Sequence, residues 1–144
     1  MATGRGEIIR PVGELSQMQG KWLLVFHFGF GVSTGWAYQQ LVIYDDCIHG
    51  GKGRGESLIS ALNSEGSPAW NHFYNSFEKP VFRKFPVLEI LKKFLISNGA
   101  IASLMSGSGS AVFAVLENEN IGRALVEKVK EKFGNSIWSC CVPA

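Results

Sequence analysis

Cysteine and charge are both scarce in this 144-residue sequence, and each shortage argues against a class of protein. The cysteines are Cys47, Cys140 and Cys141, an odd number without any Cys-x-x-Cys spacing. That pattern argues against a disulfide framework and a zinc site, and reduced thiols in a cytoplasmic protein are the simplest account. Charged residues make up 18% of the chain and its net charge is +2, so we expect no broad basic face for nucleic acid or an anionic membrane.

Long apolar runs and metal-ligand spacings are also lacking. The N-terminal residues have no apolar segment of the kind that a secretory signal requires, and the run from Trp22 to Phe30 is too short to span a bilayer. His27, His49 and His72 lie far apart, so they predict no metal site. The pair at positions 45–46, two aspartates, could serve acid–base chemistry or hold Mg²⁺, but a solvated turn is the simpler interpretation.

Apolar residues, by contrast, make up 46% of the chain, which is enough for the core of one domain. Trp22 to Phe28 has the length and continuous apolar character of a central strand. Leu88, Leu91 and Leu95 form a stripe that predicts a helix from Pro86 to Ser97.

The remaining pattern sets the order of the elements. Ala100 to Met105 and Ala111 to Leu116 predict two short strands, Glu119 to Phe133 an amphipathic helix, and Ile137 to Val142 a last strand. The order is strand, helices, strand, strand, helix, strand. It predicts an α+β fold, a ferredoxin-like antiparallel sheet with helices on one face and extra helices inserted in its first half.

Caps and prolines predict where the inserted helices begin and end. Ser33 or Thr34 can cap a helix that runs to Leu41. Ser67-Pro68 is expected to open a further helix, because proline at a first helical position loses no hydrogen bond, and Pro80 to end or kink it.

The segment Met105-Ser-Gly-Ser-Gly-Ser-Ala-Val-Phe113 carries the clearest chemical signal. Its glycines let backbone N–H groups converge and its serines add donors, so it fits a phosphate or the close approach of a ligand. A plain hairpin turn has the same spacing, and both interpretations stay open. If the segment does approach a ligand, a β-branched side chain at Gly109 should block that approach.

Two other features are less specific. The basic glycine run Gly50-Gly-Lys-Gly-Arg-Gly55 does not follow the pattern of a nucleotide-binding loop, and a surface loop is the simpler interpretation. Trp36 and Tyr38 follow the capped turn, where one can enter the core and the other can present a flat surface to a base or sugar.

Several segments together resemble the GHMP kinases, the superfamily of galacto-, homoserine, mevalonate and phosphomevalonate kinases. The Met105–Phe113 segment resembles the family's third conserved motif. Ala-Thr-Gly-Arg-Gly-Glu at 2–7, Val-Ser-Thr at 32–34 followed by Tyr38, and Asn-Ser-Phe-Glu at 75–78 narrow the resemblance. In this order they resemble the members of the non-mevalonate isoprenoid pathway, which use ATP and Mg²⁺ to phosphorylate the 2-hydroxyl of a cytidine-diphosphate-linked methylerythritol.

The resemblance implies a division of the chain and a set of site residues. Residues 1–20 would be an N-terminal strand and linker at the boundary with a missing N-terminal kinase domain, and residues 21–144 the GHMP kinase C-terminal domain. The loop residues that would approach the phosphates and the acceptor alcohol are Gly107, Ser108, Gly109 and Ser110. Thr34 and Tyr38 would line the cytidine side of the cleft, with Tyr38 stacking on the base, while Asn75 and Glu78 would give structural support.

The sequence also departs from the family. The family's ATP loop and its catalytic lysine and aspartate have no counterpart here, and Ser76 stands where an aspartate is usual. Phosphoryl transfer depends on positioning and charge stabilisation by such groups, so we expect the chain alone to be inactive, with no catalytic or metal-ligating residue and no tightly bound ATP or Mg²⁺.

The expected partners are a small phosphorylated or nucleotide-linked substrate and the missing N-terminal half. The alternative is a stand-alone ferredoxin-like module that binds a small ligand or regulates. An RNA-binding sheet is disfavoured, because the strands lack an exposed basic-aromatic pattern.

Overall fold

The computed structural model describes residues 1–3, 8–44, 53–64 and 68–144. The helices are α1 (Thr34–Leu41), α2 (Arg54–Leu62), α3 (Glu78–Lys84), α4 (Pro86–Ser97) and α5 (Glu119–Phe133), with 3₁₀ turns at Ser16–Met18 and Ala69–His72. The strands are β1 (Ala2–Thr3), β2 (Ile8–Ile9), β3 (Trp22–His27), β4 (Ala102–Met105), β5 (Val112–Leu116) and β6 (Trp138–Pro143). No helix within the described ranges is both long and apolar enough to cross a membrane.

Four strands form the main sheet, in the order β4-β5-β3-β6 with every neighbour antiparallel. Val25 on β3 lies opposite Phe113 on β5 and opposite Cys140 on β6, so β3 is a central strand as its apolar run predicts. This order and the helix between β5 and β6 are those of a ferredoxin-like sheet, so the predicted fold is confirmed. Strands β1 and β2 form a separate two-stranded ribbon.

The main core lies between the sheet and the two longest helices. Leu24 and Phe26 alternate along β3 and point to this face, where both are fully buried. The predicted stripe on α4 supplies three fully buried leucines, and α5 adds Leu125 and Val129. Burying each such side chain contributes roughly 1.5–3 kcal/mol, so the two helices are held mainly by this apolar face.

The opposite face of the sheet is partly covered by the inserted elements. Phe113 alternates with the buried Val112 and Ala114, so its ring points away from the main core and meets the ring of Phe73 at 6.2 Å. Around this contact, α2 and the two 3₁₀ turns form a small second cluster. Its buried members are Ala61, Leu62 and Ala69, with Leu15, Met18, Leu58 and Trp70 packed against them.

Both predicted boundaries of the helix between Pro68 and Pro80 are wrong. Pro68 precedes only a 3₁₀ turn, and Pro80 neither ends nor kinks a helix but lies in the first turn of α3, at its third residue. The N–H groups of a first helical turn have no partner inside the helix, so proline is tolerated there. The basic run at 50–52, the aspartates at 45–46, Cys47 and His49 lie outside the described residues.

Candidate functional site

The Gly/Ser segment forms a tight loop, Ser106–Ser110, between the paired strands β4 and β5. The Ser106 N–H donates to the Ala111 carbonyl at 2.8 Å and the Gly109 N–H donates to the Ser106 carbonyl at 2.9 Å. Gly107 and Gly109 have positive φ angles of +52° and +89°, a backbone that side chains rarely adopt. Glycine at both positions therefore follows from the shape of the turn.

Part of the loop's donor set is left available. Among the described residues, the N–H groups of Gly107 and Ser108 have no hydrogen-bond partner. A cavity of about 380 Å³ lies beside Gly107. It is lined by Tyr74, Asn75, Ser76, Phe77, Leu104, Met105, Ser106, Gly107 and Phe113. The loop is thus neither packed shut nor fully paired within itself, which favours the ligand interpretation over a plain turn.

The two serines at the end of the loop differ in what their hydroxyls do. Ser110 is almost fully buried, and its hydroxyl donates to the Phe30 carbonyl. Ser108 is half-buried, and its Oγ lies 2.9 Å from Oγ1 of Thr34. Ser110 therefore holds the loop to the segment after β3, while Ser108 and Thr34 form a hydroxyl pair at the surface.

Helix α1 presents the other two predicted residues. Ser33 is its cap, because its side chain accepts a hydrogen bond from the Trp36 N–H. Thr34 is the first helical residue, and Tyr38, four residues later, lies on the same side of the helix. Tyr38 is 60% exposed and packs edge-on against Phe77, with 4.9 Å between ring centroids. Since Phe77 lines the cavity beside the loop, the structure brings Thr34, Tyr38 and the loop into one neighbourhood.

The surroundings of Gly109 change what we expect from a side chain placed there. A Cβ at Gly109 would lie 2.8 Å from Sδ of Met105 and 3.5 Å from Cγ2 of Val32. Both contacts are with buried residues, so a side chain there would first disturb packing rather than block a ligand. Gly107 is the reverse case, because a Cβ there meets no atom within 4 Å.

The Asn75–Glu78 segment contacts the loop directly, which its sequence did not reveal. Nδ2 of Asn75 donates to the carbonyls of Met105, at 2.7 Å, and Gly107, at 2.8 Å. Oε1 of Glu78 accepts from the Met105 N–H at 2.8 Å, and Oε2 pairs with Nζ of Lys92 at 2.6 Å. The family resemblance marked the segment as a motif, but no sequence signal tied it to β4. The Phe30 carbonyl was missed for the same reason, since a backbone acceptor carries no residue signature.

Positive charge lies near the cavity. The guanidinium of Arg54 stacks 3.9 Å from the centroid of Tyr74, which lines the cavity. Within the described ranges, no three His, Cys, Asp or Glu side chains come together as a metal site. The groups around the loop can therefore hold an anion through N–H and O–H donors, with a cation close by.

A glycine loop between paired strands of a ferredoxin-like sheet defines an α+β domain with a candidate anion-binding loop. Residues 52–135 match the family described as GHMP kinases C terminal, and the chain belongs to the GHMP kinases. The predicted resemblance is confirmed.

The curated relatives include 4-diphosphocytidyl-2-C-methyl-D-erythritol kinases from several bacteria. That of Nitratidesulfovibrio vulgaris is 37% identical over 136 residues, which cover 90% of this chain and 44% of the relative. That of Methylacidiphilum infernorum is 33% identical over 141 residues, which cover 96% of this chain and 44% of the relative. The chain thus spans less than half the length of these relatives.

Solved structures agree in fold. A crystal structure of 4-(cytidine 5'-diphospho)-2C-methyl-D-erythritol kinase matches 98% of this chain and 48% of its own, with a TM-score of 0.69 and 27% identity. Mevalonate kinase of L. major, solved with R-mevalonate, matches 89% of this chain and 44% of its own, with a TM-score of 0.62 and 20% identity. At that identity the second match shows the shared fold only.

Proposed function

We propose that this chain is the C-terminal, substrate-side domain of an ATP-dependent kinase that phosphorylates 4-diphosphocytidyl-2-C-methyl-D-erythritol at its 2-hydroxyl, in isoprenoid biosynthesis. The observation that carries the proposal is the loop itself, which lies beside a cavity and next to an exposed tyrosine and has N–H groups at Gly107 and Ser108 that no described residue pairs with. The names and identities of the relatives support the substrate.

In this proposal, each site residue has a task that its geometry allows. The N–H groups of Gly107 and Ser108 would donate to phosphate oxygens, and the hydroxyl pair of Ser108 and Thr34 would bind the acceptor alcohol or a neighbouring oxygen. Tyr38, exposed and backed by Phe77, would stack on the cytosine. Gly109 and Ser110 would keep the loop in place from its inner side.

ATP would supply the phosphoryl group, and its Mg²⁺ would travel with the phosphates. The loop donors fit one end of such a phosphate chain, because unpaired backbone N–H groups on a glycine turn favour anions. We assign no ligand of Mg²⁺ to this chain. The groups that position and activate the reacting atoms would come from the rest of a complete kinase.

The test joins this chain to the N-terminal part of the N. vulgaris kinase and measures substrate-dependent ADP formation. We expect turnover by the joined protein and none by the 144-residue chain alone. Substrate-dependent ADP formation by the isolated chain, or none by a correctly folded joined protein, would contradict the proposal.

Tyr38→Ala tests the substrate assignment in the joined protein. An aromatic contact is worth about 0.5–1.5 kcal/mol, so KM for the cytidine substrate should rise roughly 2- to 12-fold. KM for ATP should stay unchanged, and the lost ring contact with Phe77 should lower the melting temperature by only a few degrees, since Tyr38 is 60% exposed. Trp138→Ala is the matched control, an aromatic that is 57% exposed at the opposite edge of the sheet. Equal KM changes in both variants would remove Tyr38 from the substrate site.

A further inference from the structure

Every polar atom of the Asn75 side-chain amide is hydrogen-bonded, and Nδ2 binds the loop and the strand end before it. Its two N–H donors reach the carbonyls of Met105, at 2.7 Å, and Gly107, at 2.8 Å. Its Oδ1 accepts from the Phe77 N–H at 2.9 Å, which fixes the amide's orientation at the start of α3. Because both N–H donors of this side chain bind carbonyls at the turn, the side chain helps to fix the conformation of the turn.

The Gly107 carbonyl belongs to the same peptide unit as the Ser108 N–H. In a planar trans peptide the C=O and N–H point in opposite directions. Because Asn75 holds the carbonyl, the Ser108 N–H must point to the other side of the loop, where no described residue pairs with it. Turning this peptide would change ψ of Gly107, which glycine tolerates, and would bring Ser108 towards a positive φ, which costs a non-glycine residue about 1–2 kcal/mol. The hydrogen bond from Asn75 therefore adds to the backbone preference of Ser108 and fixes the carbonyl against smaller rotations.

Glu78 and Lys92 hold the strand end to which the loop is attached. Glu78 accepts the Met105 N–H at 2.8 Å, and Asn75 takes the Met105 carbonyl, so both peptides flanking Met105 are fixed by side chains. The side chain of Glu78 is 15% exposed and pairs with Lys92 on α4. Met105 in turn packs against Gly109, so the same residue supports the far side of the loop.

We propose that Asn75 is a positioning residue for catalysis: it fixes the Gly107–Ser108 peptide so that the Ser108 N–H is presented to the phosphate-bearing ligand. Glu78, paired with Lys92, holds the strand end at Met105 to which Asn75 also donates. The identity of the ligand in this inference rests on the proposed function. The structural part, that Asn75 sets the direction of the Gly107–Ser108 peptide, can be tested without any activity.

The structural part is tested by Asn75→Asp, which keeps the shape of the side chain and replaces its donors by an acceptor. The carboxylate would face two carbonyl oxygens, so the Gly107–Ser108 peptide should turn. In the ¹⁵N-labelled 144-residue chain we expect the amide signals of Gly107 and Ser108 to move or to split, and those of β3 to stay. Asn98→Asp is the matched control, because Nδ2 of Asn98 also donates to a backbone carbonyl, that of Phe94, away from the loop.

The catalytic part uses the same two variants in the joined kinase. Misplacing a transition-state donor should lower kcat about 10- to 100-fold for Asn75→Asp. A donor needed mainly in the transition state leaves KM within about threefold. Asn98→Asp should keep kcat within about twofold even if both variants lose similar stability, since its amide is remote from the reaction.

The outcomes separate the two proposals. Unchanged loop signals in Asn75→Asp, or equal kcat losses in both variants, would overturn the positioning role. An inactive wild-type joined kinase would instead contradict the proposed function, and displaced loop signals would then still support control of the peptide by Asn75. Should Asn75→Asp fail to fold, Asn75→Ala replaces it; water from the adjoining cavity can reach both carbonyls, so we expect it to fold and to move the same signals.

Discussion

Alanine at Gly109 tests whether the loop is locked from its inner side, and alanine at Gly107 is the matched comparison. Both positions have positive φ, which costs a non-glycine residue about 1–2 kcal/mol. Only at Gly109 would the added methyl also meet a buried side chain, with Met105 Sδ 2.8 Å away. Crowding of this kind costs about 1–3 kcal/mol.

The expected losses in the free energy of unfolding are therefore about 2–5 kcal/mol for Gly109→Ala and about 1–2 kcal/mol for Gly107→Ala. Urea unfolding followed by circular dichroism measures both, and an unchanged slope with denaturant would show that the variants unfold from the same compact state. For a chain of this size each kcal/mol corresponds to roughly 2–4 °C in melting temperature, so a thermal scan provides a second measurement.

A double-mutant cycle with Met105→Ala isolates the contact. Removing the Met105 side chain opens space for the new methyl, so the two substitutions together should cost about 1–2 kcal/mol less than the sum of the single losses. If Gly109→Ala and Gly107→Ala lose equal stability, or if the cycle is additive, the contact between Met105 and Gly109 does not hold the loop and the reasoning is refuted.

Two further predictions concern other contacts. Lys92→Ala leaves the carboxylate of Glu78, only 15% exposed, without its cation and should lower the free energy of unfolding by about 1–2 kcal/mol. Lys93→Ala breaks an exposed pair and should lower it by less than about 0.5 kcal/mol in the same urea assay. Equal losses in the two variants would contradict the burial argument. Burial, with a smaller effect of a nearby glutamate, raises the pKa of the Cys141 thiol, while Cys140 is exposed. At pH 8 a disulfide reagent should therefore react more slowly with Cys141, measured on single-cysteine variants, and equal rates would be evidence against the raised pKa.

The helices were predictable where apolar residues recur with helical spacing and a stop residue follows. Pro86–Ser97 and Glu119–Phe133 have the predicted bounds, because each combines an apolar stripe with a clear stop. Pro80 was misassigned because a proline in a first helical turn and a proline that ends a helix look alike in sequence. The two cases differ only in where the helix starts. Helix α3 starts at Glu78, and the residue before it, Phe77, has no capping side chain that would have marked this start in the sequence.

The position and shape of the Gly/Ser loop were predictable from the sequence, but its contacts were not. Gly107 and Ser108 follow from a local composition that glycine geometry explains. A side chain at Gly109 would point towards the buried Met105, and no spacing in the sequence predicts that contact. The hydrogen bonds from Asn75 to Met105 and Gly107 join residues that are 30 and 32 positions apart in the sequence. Long-range contacts to backbone atoms leave no sequence signature in a single chain, since any residue supplies a carbonyl.

The groups that shape the loop all belong to this domain. Ser110 is held by the Phe30 carbonyl, Gly107 by Asn75, and Gly109 by Met105, so both ends of the turn are fixed by the domain's own fold. The conformational entropy of the turn is therefore lost when the domain folds and not when a ligand arrives. Under the proposed function, the rest of a complete kinase would add reactive groups to donors whose direction is already set. Electrostatic stabilisation of phosphoryl transfer depends on such preorganised donors, because a loop that had to order itself at each encounter would weaken it.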